Sequence, residues 1–160
     1  MRTPFLHVLL SFLLVVLGAN KIYSCSCIGE NTVKQEIKNS DVVLFGEVVS
    51  VDTIKIEFQP GNIIFLRLKV DIRVFNLFKG RINSDIISVY TGIGGGDCGY
   101  NFQLGKEYLI YADYKTRQFN FSNKIPKFLY TDICKRTCEL NDNELKEISR
   151  YRKPRGPAKS

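Results

Sequence analysis

The chain has 160 residues, with 23 Lys and Arg against 16 Asp and Glu, five cysteines and one histidine. That length supports one domain and little more. The single histidine, His7, lies in an apolar N-terminal stretch. The body therefore lacks the Ser-His or Cys-His pair of nucleophilic hydrolases and the imidazole ligands of a catalytic zinc. Glycoside hydrolysis needs only two carboxylates and stays open to this composition. No pair of acids stands in a recognisable acid/base arrangement, however, and the chain reads as a binding protein, not an enzyme.

Residues 1–24 read as a secretory signal: Arg2, an apolar run over 5–17, then a short polar region ending in Ser24. The run is short for a membrane span. Cleavage after Ser24 leaves Cys25 as the first residue; Ala19 offers a competing site. The expectation is a secreted, extracellular protein with no membrane span. All five cysteines follow the cut, and an oxidising compartment favours disulfides between them. A zinc site built from Cys-x-Cys and Cys-x₃-Cys is the rival reading. An odd count leaves one cysteine free or paired between chains.

Losing Arg2 and Lys21 leaves 21 basic residues against 16 acidic. Arg150, Arg152, Lys153, Arg155 and Lys159 sit in the last eleven residues with no acid among them, so the rest of the body balances at 16 against 16. A neutral body excludes the broad basic surface of a nucleic-acid-binding fold. Residues 152–160 read as a disordered basic tail, either simply solvated or able to touch polyanions such as glycosaminoglycans.

Asn31 or Thr32 can cap a short helix whose apolar face is Val33 and Ile37. A β-prone strand follows over 42–51, with Gly46 marking a bulge or bend. Gln59-Pro60-Gly61-Asn62 is a turn, and 63–75 alternates with period two. Lys79-Gly80 turns the chain into a strand over 86–90. The glycine-rich segment 91–100 lacks the Gly-Lys-Ser/Thr of a phosphate loop, and no helix pattern follows it. Leu104-Gly105-Lys106 is a turn, and 107–114 is a strand with Tyr108, Ile110 and Ala112 on one parity. Asn120-Phe121-Ser122 is a glycosylation sequon. A last short strand over 127–133 leads into Cys134-Lys135-Arg136-Thr137-Cys138. Asn141-Asp142 caps a terminal helix reaching Tyr151, with Leu145 and Ile148 as its apolar contacts. Short strands, glycine turns and no βαβ alternation predict a mainly β fold. It is a closed barrel of five to six strands with a helix at each end.

Six motifs together resemble one family. They are Cys25-Ser26-Cys27 at the predicted mature start, Asn39-Ser40-Asp41-Val42-Val43, Phe78-Lys79-Gly80, Cys98-Gly99-Tyr100, Leu104-Gly105-Lys106-Glu107-Tyr108-Leu109 and Thr131-Asp132-Ile133-Cys134. In this order they are similar to the tissue inhibitors of metalloproteinases (TIMPs), over the N-terminal netrin-like domain, from Cys25 to about Tyr151, as in one-domain members. The resemblance implies an OB-fold barrel and a secreted inhibitor of zinc metalloendopeptidases of the matrix metalloproteinase kind. It implies that the α-amino nitrogen and carbonyl oxygen of Cys25 bind the partner's catalytic zinc, displacing its water, with Ser26 in the S1′ pocket. An α-amine with a pKa near ~8 can serve as a neutral ligand, and zinc accepts N and O donors at its open position. The zinc is the protease's; the chain has no cofactor of its own.

The resemblance also implies disulfides Cys25–Cys98 and Cys27–Cys134, with Cys138 unpaired, and a monomer unless Cys138 pairs between chains. The implied inhibitory ridge joins Cys25, Ser26, Cys27 and Ile28 to Gly95, Gly96, Asp97 and Cys98, extended by the loop over 52–62. Three departures stand out. The family's helix cysteine is missing near Ile37-Lys38, and the Pro-rich segment after the second cysteine is replaced by Ile28-Gly29-Glu30-Asn31. The family's six-cysteine C-terminal domain has no counterpart here. The alternative is a non-inhibitory netrin-like module binding matrix, a growth factor or a polyanion.

Overall fold

The computed structural model of the protein describes residues 25–27, 29, 31–58, 63–94, 96–115 and 127–156. The expected signal, Ile28, Gly95, the Asn120 sequon and Lys159 lie outside these residues.

Helix α1 (Val33–Asn39) starts at Thr32, which forms a capping box with Gln35. The Gln35 amide donates to the Thr32 hydroxyl, and the Gln35 side-chain oxygen accepts from the Thr32 amide at 2.9 Å. Val33 and Ile37 are buried, as their spacing requires.

Strands β1 (Val42–Phe58) and β2 (Ile63–Lys79) form an antiparallel pair of 17 residues each. The bulge expected at Gly46 appears as a register shift between Phe45 and Gly46. The loop expected over 52–62 is mostly strand: pairing continues from Asp52↔Lys69 to Phe58↔Ile63. The β-prone residues Thr53, Ile54 and Ile56 extend the ladder past the stretches of β1 and β2 that pair with other strands.

Strands β3 (Ile86–Thr91), β4 (Glu107–Lys115) and β5 (Phe128–Tyr130) complete the sheet. Pairing runs β1–β2–β3–β5–β4 and returns to β1, so five strands form a ring. Among the described residues only the β3–β5 contact is parallel. β5 has three residues, shorter than the strand expected over 127–133. A two-residue strand that the sequence reading missed, β6 (Cys138–Glu139), pairs with Tyr108 and Leu109 on β4.

The interior of the ring is apolar: Val42, Leu44, Val48, Val70, Ile72, Val74, Val89 and Ile110 are all buried. A second cluster lies outside it, where α1 and the terminal helix α2 (Asp142–Tyr151) cover β1 and β4. Val33, Ile37, Val43, Phe78, Leu109, Tyr111 and Ile148 meet there. Strand β4 is thus buried on both faces from Tyr108 to Ala112, although its sequence alternation marks only one.

The chain after α2, read as disordered from residue 152, is tied down at Arg155. The Leu77 amide donates to the Arg155 carbonyl at 2.8 Å, and the Arg155 amide donates back at 3.0 Å. This contact satisfies backbone groups on a stretch of β2 that β3 does not reach.

Candidate functional site

Three short segments meet at one end of the ring. Cys25 is bonded to Cys98 and Cys27 to Cys134, with Cα separations of 5.5 and 5.2 Å. The Ile133 amide donates to the Cys98 carbonyl at 3.0 Å, so the two receiving loops are also joined to each other. Ser26, between the bonded cysteines, is exposed. With four thiols in disulfides, the zinc reading loses its ligands. Among the described residues no group of three or more His, Cys, Asp or Glu could hold a metal ion.

Asp97 builds the glycine-rich loop. Its carboxylate accepts from the amides of Ile93 and Gly94, both at 2.9 Å, and from Arg67 at 3.1 Å. Gly99 adds a third amide at 3.3 Å. These N–H groups converge as they would on a phosphate, but the loop's own carboxylate fills the concavity. Asp97, one of the ridge residues the resemblance implies, turns its carboxylate into the loop. The glycines make this possible by close approach. A Cβ on Gly99 would lie 2.2 Å from the Gly92 carbonyl oxygen, and one on Gly92 would lie 2.3 Å from the Asp97 carboxylate. Cys98 takes φ 58°, and Gly96 is exposed beside it.

Two residues missed by sequence reading flank the junction. Ile93 is 50% exposed and Ile133 is 47% exposed. Exposed aliphatic side chains beside a rigid loop are candidate partner contacts. The available signal was their adjacency to the glycine run and to Cys134.

A polar network holds the segment after Cys134. The Thr131 hydroxyl donates to the Tyr111 carbonyl at 2.8 Å, and the Tyr111 amide donates to Thr137 at 3.1 Å. Lys135 pairs with Asp113 at 2.8 Å and with buried Glu36 at 3.3 Å. Arg136 grips Glu144 through Nε (2.9 Å) and Nη2, and its Nη1 donates to the Asn31 carbonyl at 2.8 Å. The Tyr111 hydroxyl donates to the same Glu144 at 2.7 Å. Burial, reinforced by that carboxylate, drives the Tyr111 phenol well above its usual range. Several of these groups line an open pocket of about 440 Å³ beside the Cys27–Cys134 bond.

Cys138 is unpaired and half-buried, packed against the outer cluster. Burial pushes its thiol up to about 11, which keeps the thiolate scarce at neutral pH. Among the described residues no helix is long and apolar enough to cross a membrane. No protein-family model matches the chain, and no curated protein sequence matches it.

Proposed function

We propose that the protein is a secreted inhibitor of zinc metalloendopeptidases, built on an OB-fold of the netrin-like, TIMP-like kind. The observation that carries this reading is the stapled Cys25-Ser26-Cys27 segment, held at both cysteines with Ser26 exposed between them. The OB-fold is supported by the ring order β1–β2–β3–β5–β4 with β3 parallel to β5.

In this reading Cys25 is the mature terminus. Its α-amine and carbonyl oxygen meet the partner's zinc at the position its water vacates, and Ser26 enters the S1′ pocket. The thiol takes no part in ligation, because the bond to Cys98 consumes it. That bond serves to fix the two donor atoms, which lowers the ordering entropy lost on binding. Ile93 and Ile133 would add apolar contact on either side. The first test is the N-terminus and intact mass of the secreted protein. A start at Cys25, with a mass four hydrogens light, leaves the amine free; a start at Asn20 buries it in a peptide bond and defeats this reading.

A second reading, a polyanion-binding module, is favoured by one observation. Arg150, Arg152, Lys153 and Arg155 are exposed and form no ion pair among the described residues. Truncation after Ser149 should lower the salt needed to elute the protein from heparin; an unchanged elution salt removes this reading.

A further inference from the structure

We infer that Arg136 is a positioning residue that ties Asn31 to the segment already bonded to Cys27, and so sets the direction in which Cys25 and Ser26 are presented. This rests on the inhibitor reading above, and adds to it a hold on the N-terminal segment beyond the two disulfides.

The stretch from Cys27 to Asn31 has no proline, and nothing in its composition stiffens it. Yet both its ends land on one short segment. Cys27 is bonded covalently to Cys134. Two residues further on, Arg136 Nη1 takes the carbonyl of Asn31 at 2.8 Å, across 105 residues of sequence. The stretch is therefore closed by a disulfide at one end and a charge-assisted hydrogen bond at the other.

The guanidinium is itself held from the opposite side. Its Nε and Nη2 grip the Glu144 carboxylate on α2, and Tyr111 on β4 donates to that carboxylate at 2.7 Å. The planar fork grips the carboxylate through two N–H groups and keeps a third for the carbonyl; a lysine ammonium does not reproduce that bidentate geometry. The Asn31 side chain donates to buried Glu36 at 2.7 Å, which fixes Asn31 from the helix side as well. Helix α1 starts at the next residue, so the clamp also sets where the helix begins.

The experiment is amide hydrogen exchange by mass spectrometry on the wild-type protein and Arg136→Lys, together with inhibition of a metalloprotease by chains starting at Cys25. The substitution keeps the charge facing Glu144 and removes the reach to Asn31. Exchange over 26–36, which takes in the hydrogen-bonded amides of Thr32, Gln35 and Glu36, is expected to rise about tenfold while β4 and α2 change little, with inhibition about tenfold weaker. Should Arg136→Lys raise exchange globally, Arg136→Met combined with Glu144→Leu removes both charges together, and the same comparison applies. Unchanged exchange over 26–36 overturns the clamp. Faster exchange with undiminished inhibition overturns the positioning role. A wild-type chain that starts at Cys25 and inhibits no metalloprotease defeats the inhibitor reading instead; exchange alone then decides the clamp.

Discussion

The amide of Ile133 donates to the carbonyl oxygen of Cys98 at 3.0 Å, joining the two loops that receive Cys25 and Cys27. The two disulfides are therefore one structural unit, and loosening either loop shifts both anchors of the N-terminal segment.

The Cys27–Cys134 bond closes a sequence separation of 107 residues. Replacing both cysteines by alanine should lower stability by roughly 3–5 kcal/mol, because so long a closure removes much entropy from the unfolded chain. Cys138→Ala should lower it by about 1 kcal/mol, since only a half-buried thiol is lost. Urea unfolding distinguishes the two. Equal losses would mean that the bond does not constrain the fold.

Asp97→Ala should uncouple the glycine loop. It leaves the amides of Ile93 and Gly94 without their acceptor and removes one of the acceptors of Arg67. A loss of about 2–3 kcal/mol is expected, with the backbone signals of 92–99 shifting most by NMR. A loop that keeps its shifts would show that the carboxylate is dispensable.

Tyr111 makes stability fall at high pH. Its folded pKa lies above the unfolded value near ~10. The stabilisation is therefore complete below that value and is lost as pH rises toward the folded pKa. Tyr111→Phe should lose about 1 kcal/mol at pH 7, with the hydrogen bond to Glu144, and then decline less steeply than wild type above pH ~10. Denaturant midpoints across that range give the comparison; parallel curves would contradict it.

Ile93→Asp and Ile133→Asp should weaken partner binding about tenfold each while changing stability by less than about 0.5 kcal/mol. Both side chains are about half exposed, so solvation of the new charge is easy in the free protein and lost on docking. Titration calorimetry or inhibition assays would show this; unchanged affinity would move the contact surface elsewhere.

Much of the fold was legible in the residues because it depends on local pattern. The alternation of Val70, Ile72 and Val74 marked the buried face of β2, and the pairs Asn31-Thr32 and Asn141-Asp142 marked the two described helix starts, capped by Thr32 and Asn141. Features set by distant partners were not legible. Leu109 and Tyr111 are buried because helices from both ends of the chain cover β4, which its own alternation cannot express. β6 and the Leu77–Arg155 contact satisfy backbone groups on neighbouring strands, so their own sequences carry little signal. The disulfide pairing came from family resemblance and not from spacing. The reach of Arg136 to Asn31 required coordinates, since it spans 105 positions; the inward turn of Asp97 onto the amides of Ile93, Gly94 and Gly99 is local, but it is a loop geometry that no periodicity expresses.

The most direct measurement compares two chains, one starting at Cys25 and one carrying a single alanine ahead of it. Both should fold alike, with the same two disulfides. Inhibition of a zinc metalloendopeptidase is expected only from the first, weakened at least about 100-fold in the second, because the added peptide bond removes the amine that ligates zinc. Equal inhibition by both chains would contradict chelation by the terminus.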